Sequence, residues 1–462
     1  MPNSPLVSNI RPDNLLKENQ LSWSEVRKHC TRESCWIVLN GSVYDVTSWL
    51  DCHPGGAIVL LNTAGYDATD VFNAYHDYQI VLKRLNFLHI GEVADYNVDN
   101  LTDKFRNFRK SIEETDLMKT SPRFYLISIV WYISLLVSSI YCVHVYGENL
   151  WLGAVLGGFL MAAFFQQVAF FGHDLGHTSV THNREIDLAI GFLFGNILSG
   201  VSLGWWKATH NTHHVITNSV ESDPDIQHLP FFAVTQKFTS SVYSSYHERV
   251  LKYDALARLL VPFQSKLYYL IMALARFNLY AQSYLLLIRP ASELRKRIRT
   301  YPFIELTGLL LFATWFVTLV CTLPDTVSRV TFVLISHCLA GFLHVQITLS
   351  HFSMPVYVEP PLESDSFMVH QLKTSLDIDC PDWMDWFHGG LQFQAAHHLF
   401  PRVPRHNLRK LRQLLIEFCK QNRLQYNITG FIDANLRMIK HLRTVGTECR
   451  ERALWDIANM RG

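Results

Sequence analysis

Polarity along the chain changes regime once. Up to about residue 100, apolar and polar positions alternate at short range. Ser22-Trp23-Ser24-Glu25-Val26 starts a helix, with Ser22 or Ser24 placed to cap it. Two runs rich in β-branched and aromatic residues, 35–39 and 42–46, flank Asn40-Gly41 and predict two strands around a tight turn. His53-Pro54-Gly55-Gly56 then interrupts the chain before a short apolar helix over 57–61. This region reads as a compact α+β unit. The lead before it, residues 1–21, is dominated by Pro, Asn, Asp, Glu and Lys. It has no apolar run of signal-peptide length and is expected to be disordered. Residues 96–121 are dense in Lys, Arg, Asp and Glu and are expected to form a linker.

Beyond residue 122 the apolar runs lengthen. Residues 124–145, 150–171, 303–323 and 330–349 each approach the ~20 residues that a helix needs to cross a bilayer. They pair as two transmembrane hairpins, and the connectors 147–149 and 324–328 contain no Lys or Arg. Arg295-Lys296-Arg297-Ile298-Arg299 precedes the third span, so the positive-inside rule places both termini and the long central segment in the cytosol. Two further apolar stretches, 186–203 and 267–288, are less clear-cut. The second carries Arg276, Asn278 and Gln282 and reads as an interfacial or packed helix, with a fifth or sixth span left open. The expected architecture is a small α+β domain at 22–95, followed at 122–462 by an all-α integral membrane domain with four spans and a cytosolic helical cap.

Composition sharpens this picture in two ways. Only 18% of the 462 residues are charged, below the ~25% of soluble domains, as membrane spans require. A net charge of +1 leaves no basic footprint for nucleic acid. Nine cysteines at irregular spacing, with no Cys-x-x-Cys, suit reduced cytosolic thiols.

The 22 histidines are the unusual count. His173 and His177 are spaced i, i+4, and His210, His213 and His214 are spaced i, i+3, i+4, so each set shares one helix face. His397 and His398 follow Gln394 by one turn. All three clusters fall at the cytosolic membrane border, where they can converge. A hydrolytic zinc site needs about three ligands and an open position; seven imidazoles exceed that and favour two metals. Imidazole suits iron, zinc, copper and nickel, so ligand type alone does not choose. In the α+β unit, His53 and His76 are a pair of neutral imidazoles suited to axial ligation of haem. Asp174, Asp223 and Asp225 lie near the clusters, either as carboxylates orienting imidazoles or as helix caps and turn residues. Trp205, Trp206, Trp383, Trp386 and Phe387 are candidates for an acyl tunnel or for interfacial anchoring.

These residues carry a resemblance. Trp36-Ile37-Val38, Val43-Tyr44-Asp45-Val46-Thr47, His53-Pro-Gly-Gly, the run 64–72 and His76 make residues 22–93 resemble a cytochrome b5 domain, which implies haem b on His53 and His76. Residues 123 to about 430 resemble the membrane fatty-acyl desaturases with three histidine boxes. Gln394 at the head of the third box, with the fused haem domain, is similar to the front-end branch, most like the fungal sphingolipid Δ8-desaturases. The resemblance implies two non-haem Fe ions on His173, His177, His210, His213, His214, His397 and His398. It implies one more ligand from the end of the fourth span, where His351 fits and His344 competes, and it puts Gln394 near the metals. That accounts for ten of the 22 histidines and leaves 12 for ordinary roles.

The implied activity is O2-dependent dehydrogenation of an unactivated CH2–CH2 pair in a lipid, most like the long-chain base of a sphingolipid or ceramide. Electrons would come through the fused haem domain from NADH-cytochrome b5 reductase. No G-x-G-x-x-G follows a strand, in keeping with an external reductase. Family and topology together imply the endoplasmic reticulum membrane, multi-pass, with the active site cytosolic. The alternatives are a front-end Δ6/Δ5 fatty-acyl desaturase, a di-iron lipid hydroxylase, and a membrane haem electron-transfer protein that is no enzyme.

Overall fold

Asn40 and Gly41 both take positive φ, 51° and 89°, which turns the chain tightly enough for its flanking runs to pair. The computed structural model describes residues 19–76, 85–288, 302–358 and 366–460. It pairs Trp36–Leu39 antiparallel with Ser42–Asp45 and extends the sheet through His89–Val93 to a parallel edge strand, Gln20–Leu21. Residues 1–18 of the expected disordered lead lie outside the described residues, but its last residues are ordered by that edge strand. Ser22 caps Trp23–Val26 by accepting from the Glu25 amide. The helices Ala57–Leu61 and Thr69–Tyr75 enclose a core with Ile37, Leu39, Val46, Leu50 and Ala68.

The charged stretch after this unit is not a loose connector. Asn100–Glu113 is a helix capped by Asp99, whose carboxylate accepts from the Leu101 and Thr102 amides. Its polar residues occupy one face, and Phe105 and Ile112 are buried on the other, in a core shared with Phe400, Leu411 and Phe418. Arg109, also buried, donates to the Leu399 carbonyl at 2.8 Å and lies over the Phe400 ring. Charge density read without its helical period suggested a linker; the period makes it a docked amphipathic helix.

Among the described residues, five helices are long and apolar enough to cross a membrane: Asp116–Val145, Leu150–Gly176, Ala255–Leu287, Pro302–Cys321 and Thr326–Leu349. Four overlap the expected spans, the third ending at Cys321 rather than residue 323; Ala255–Leu287 is the addition. The ends of the second and fifth helices carry His177 and His351, which lie in adjoining clusters, so an even number of crossings must separate them. Pro302–Cys321 and Thr326–Leu349 already supply two. Ala255–Leu287 packs along the last helix. Tyr268 bonds Thr348 near the histidine end, a Cβ at Gly341 would meet the Ala273 backbone, and Tyr280 reaches His337. The basic run 295–299 lies outside the described residues.

Residues 186–203 also dip beside these helices. Arg184–Gly191 continues into a widened turn, Phe192–Ile197, which packs on Pro302–Cys321 at Gly308. Glu305 is buried there and accepts from Asn196 at 2.8 Å, Ser202 at 2.5 Å and the Gly204 amide at 3.0 Å. Arg276, 1% exposed, donates to the Ser199 carbonyl and hydroxyl and to Tyr280. Both charges are tolerated because their hydrogen-bonding groups are met by neighbouring elements. In sealed vesicles, cysteines introduced at Glu148 and Asp325 are expected to react with an impermeant maleimide from one face, and one at Asp382 from the other. Labelling of the Glu148 and Asp325 positions from opposite faces would overturn the even-crossing argument.

Candidate metal centre

The histidines gather where helix ends meet. His173 and His177 close the helix Gly157–Gly176, His210, His213 and His214 lie on Leu203–Val215, and His397 and His398 lie on Gln394–Leu399. Ligand atoms of His173, His177, His210, His214 and His397 lie within 4.8 Å of one another, and those of His213, His351 and His398 form a second such group. In the first group, His210 Nε2 is 3.2 Å from His173 Nε2 and 3.0 Å from His214 Nε2. Nitrogens bound at ~2.1 Å to one ion are about 3.0 Å apart at right angles and about 4.2 Å apart when opposite. The five donors therefore suit one ion. The groups abut, with the His214 and His398 rings stacked at 4.0 Å between centres.

Backbone and side-chain acceptors fix which nitrogen faces inward. His213 Nδ1 donates to Asp223 at 2.9 Å, and His351 Nδ1 to the Thr374 carbonyl at 3.1 Å. Gln371 commits its amide nitrogen to the His214 carbonyl, so its oxygen accepts from His398 Nδ1 at 2.8 Å. Each of these bonds leaves Nε2 turned toward the group. The His397 and His398 Nε2 atoms, the His214 Nδ1 and both nitrogens of His177 are buried without a hydrogen-bond partner among the described residues. Among these, the Nε2 atoms of His397 and His398 and one nitrogen of His177 belong to rings within the groups and fit metal ligation.

Electrostatics agree. Burial, reinforced by neighbouring imidazoles, pushes His177, His214, His397 and His398 well below the usual histidine range. Burial likewise takes His210 and His351 to about 3. These rings stay neutral, the form that binds metal. His213 differs: burial opposes its charge, but Asp223 and Asp225 outweigh burial and hold it at about 9.

The structure gives the remaining candidates their surroundings. His351 joins the second group, and His344 joins neither. The Gln394 oxygen lies 3.4 Å from His351 Nε2, at the edge of the three-histidine group. Asp223 bonds an imidazole directly, whereas Asp225 stands 3.9 Å from His210. Asp174, 3.9 Å from His173, pairs mainly with Arg405 and Tyr125. Trp206 stacks on His210 at 4.4 Å, an approach that a Cβ at Gly176 would block. Trp383 and Trp386 are exposed, as anchoring side chains would be. Gln371, Thr374 and Arg405 were not legible as site residues; a lone polar residue distant in sequence carries no pattern.

The second candidate site is in the α+β unit. His53 Nδ1 donates to the Gly56 carbonyl at 2.9 Å and His76 Nδ1 to the Phe72 carbonyl at 3.1 Å, so both Nε2 atoms are free. The two ring centres are 6.1 Å apart. Two metal–nitrogen bonds of ~2 Å, plus about 1 Å from each nitrogen to its ring centre, span that distance. Burial lowers both imidazoles, His76 to about 4. Val59, Val71 and Ala74 of this unit share a core with Val215, Ile216, Phe367 and Met368, which seats it against the histidine groups.

Comparison with known proteins supplies the context. A family model described as fatty acid desaturase matches residues 149–430, and one described as cytochrome b5-like haem/steroid binding domain matches residues 22–94. The chain is 40% identical over 430 residues to a Delta(8)-fatty-acid desaturase of Helianthus annuus, covering 92% of this chain and 91% of the relative. It is 38% identical to an acyl-lipid (9-3)-desaturase of Borago officinalis, covering 92% and 93%. It is 33% identical to a Delta 8-(E)-sphingolipid desaturase of Komagataella phaffii, covering 93% and 94%. His351→Ala is expected to lower the non-haem metal content, measured by mass spectrometry of the purified chain, while His344→Ala leaves it at the wild-type level. The reverse result would move the extra ligand to His344.

Proposed function

The chain belongs to the fatty acid desaturase family, and from that premise we propose that it introduces a Δ8 double bond into the long-chain base of a sphingolipid. It is an oxidoreductase that uses O2 on a lipid chain, with electrons delivered through its fused cytochrome b5-like domain. The observation that carries the residue assignment is the division of the imidazoles into five and three. In this reading His173, His177, His210, His214 and His397 hold one iron, and His213, His351 and His398, with Gln394 beside them, hold the other. His53 and His76 hold the haem of a domain spanning 22–95, and the membrane domain runs from 122 to 462.

Bound irons supply the oxidising power toward an unactivated C–H bond that no side chain possesses. The chain's residues do the rest. Asp223, Thr374 and Gln371 orient the imidazoles of the second group, and Trp206 covers the first. Burial excludes water, which protects a reactive site from side reactions. NADH-cytochrome b5 reductase is the proposed electron source. The endoplasmic reticulum membrane is the proposed location, with both termini and the site in the cytosol.

The Δ8 position and the sphingolipid substrate rest on relatives named for them, in a plant and a yeast. The acyl-lipid relative from Borago officinalis favours a second reading, front-end desaturation of a fatty-acyl chain. Expression in a host lacking such desaturation, with mass spectrometry of long-chain bases and fatty acids, separates the two. A new double bond in the long-chain bases is expected. One confined to acyl chains would overturn the substrate, and a product gaining oxygen would overturn desaturation.

A further inference from the structure

One side chain spans the space between the two candidate metal sites. Tyr75 ends the helix Thr69–Tyr75 and is bonded directly to His76. Its ring centre is 6.4 Å from that of His177 and 6.3 Å from that of His214, edge-on to the latter at 78°. The same residue therefore adjoins a haem-ligand candidate through the backbone and two members of the five-histidine group through its ring. Its hydroxyl is buried and has no hydrogen-bond partner among the described residues. Packing alone holds the ring, in the core that joins Val71 and Ala74 to Val215 and Phe367.

We propose that Tyr75 is the positioning residue that couples the haem to the five-histidine iron. The path runs from His76 along one peptide unit to the Tyr75 ring, and from there by packing contact to His177 and His214. A filled core offers continuous atomic contact where a void would break it. The inference rests on the haem and two-iron reading above. Each passage moves one electron: ferrous haem becomes ferric, and one ferric ion of the centre becomes ferrous. Tyr75 gains no electron and loses no proton, and no bond changes. One desaturation draws two passages. Because the contact exists in the docked arrangement, transfer requires no excursion of the haem domain.

The test uses the full-length chain in detergent micelles, loaded with haem and ferric iron. A photoexcited flavin with a sacrificial donor reduces the haem in a flash. The haem band then decays as the electron reaches iron, and a chain stripped of non-haem iron shows no such decay. In Tyr75→Ala the decay is expected to slow by about tenfold or more, as loss of positioning contacts does elsewhere. Haem spectrum, midpoint potential and iron content should match wild type. Tyr75→Phe should keep the wild-type rate, because the hydroxyl has no partner. Val71→Ala thins the same interface without touching either histidine group and should also keep the rate. If Ala at position 75 disturbs haem uptake, Tyr75→Leu gives the same comparison with no ring. Wild-type decay in Tyr75→Ala or Tyr75→Leu would overturn the proposal. So would slowing in Tyr75→Phe, or equal slowing in Val71→Ala, which would mean general undocking. A wild-type chain that takes up no haem or no iron would overturn the reading beneath it instead.

Discussion

A buried ring nitrogen without a partner costs about 1–3 kcal/mol. Five such nitrogens are found in the two histidine groups: both of His177, Nδ1 of His214, and Nε2 of His397 and His398. Metal ligation would relieve one nitrogen of His177 and the Nε2 atoms of His397 and His398, so metal content and folding are coupled here. The surrounding bonds make sense as preparation for it. Asp223, Gln371 and Thr374 each take the outward nitrogen of one imidazole, which commits the inward one to the ion.

That constraint reaches into the membrane. The imidazoles can meet only if the helices bearing His173–His177 and His351 end on the same side of the bilayer. The chain between them must then enter and leave the apolar region in pairs. Ala255–Leu287 and the widened turn Phe192–Ile197 pack beside the hairpins, and each brings polar groups along. Glu305 and Arg276 have their hydrogen bonds met by Asn196, Ser202, Ser199 and Tyr280. These partners lie on or next to the packed segments, so the segments and the buried polar groups stabilise one another.

The parts of the molecule legible in the sequence are those with a period or a local motif. Asn40-Gly41 announced its hairpin, four apolar runs announced four helices, and spacings of three and four put the box histidines on shared faces. His53 and His76 stood in a recognisable setting. In 96–121, counting charge without the helical period hid the face that buries Phe105, Arg109 and Ile112. Ala255–Leu287 was ambiguous because Arg276 reads as an exposed charge until its partners are known, and those partners are 77 residues away at Ser199. Choosing His351 over His344 is likewise a tertiary fact. Both are near one helix end, and only the packing of Gln394–Leu399 and Leu203–Val215 decides which ring is met.

Docking of the haem domain follows the same logic of local residues with distant consequences. Fusion by itself raises the effective concentration of donor at acceptor but leaves orientation free. Here Val59 on Ala57–Leu61, and Val71 and Ala74 on Thr69–Tyr75, enter the core of the membrane domain, from helices that immediately follow His53 or precede His76. The docked helix Asn100–Glu113 braces the other side of that core through Phe105 and Ile112. One continuous apolar cluster thus positions a candidate haem pair, the covalent connection to the membrane domain, and the third histidine box, in which Ala396 and Leu399 are buried in the same cluster. Orientation between the two redox sites is set by the same burial that stabilises the chain, and a domain held only by its tether would have had no reason to place apolar side chains there.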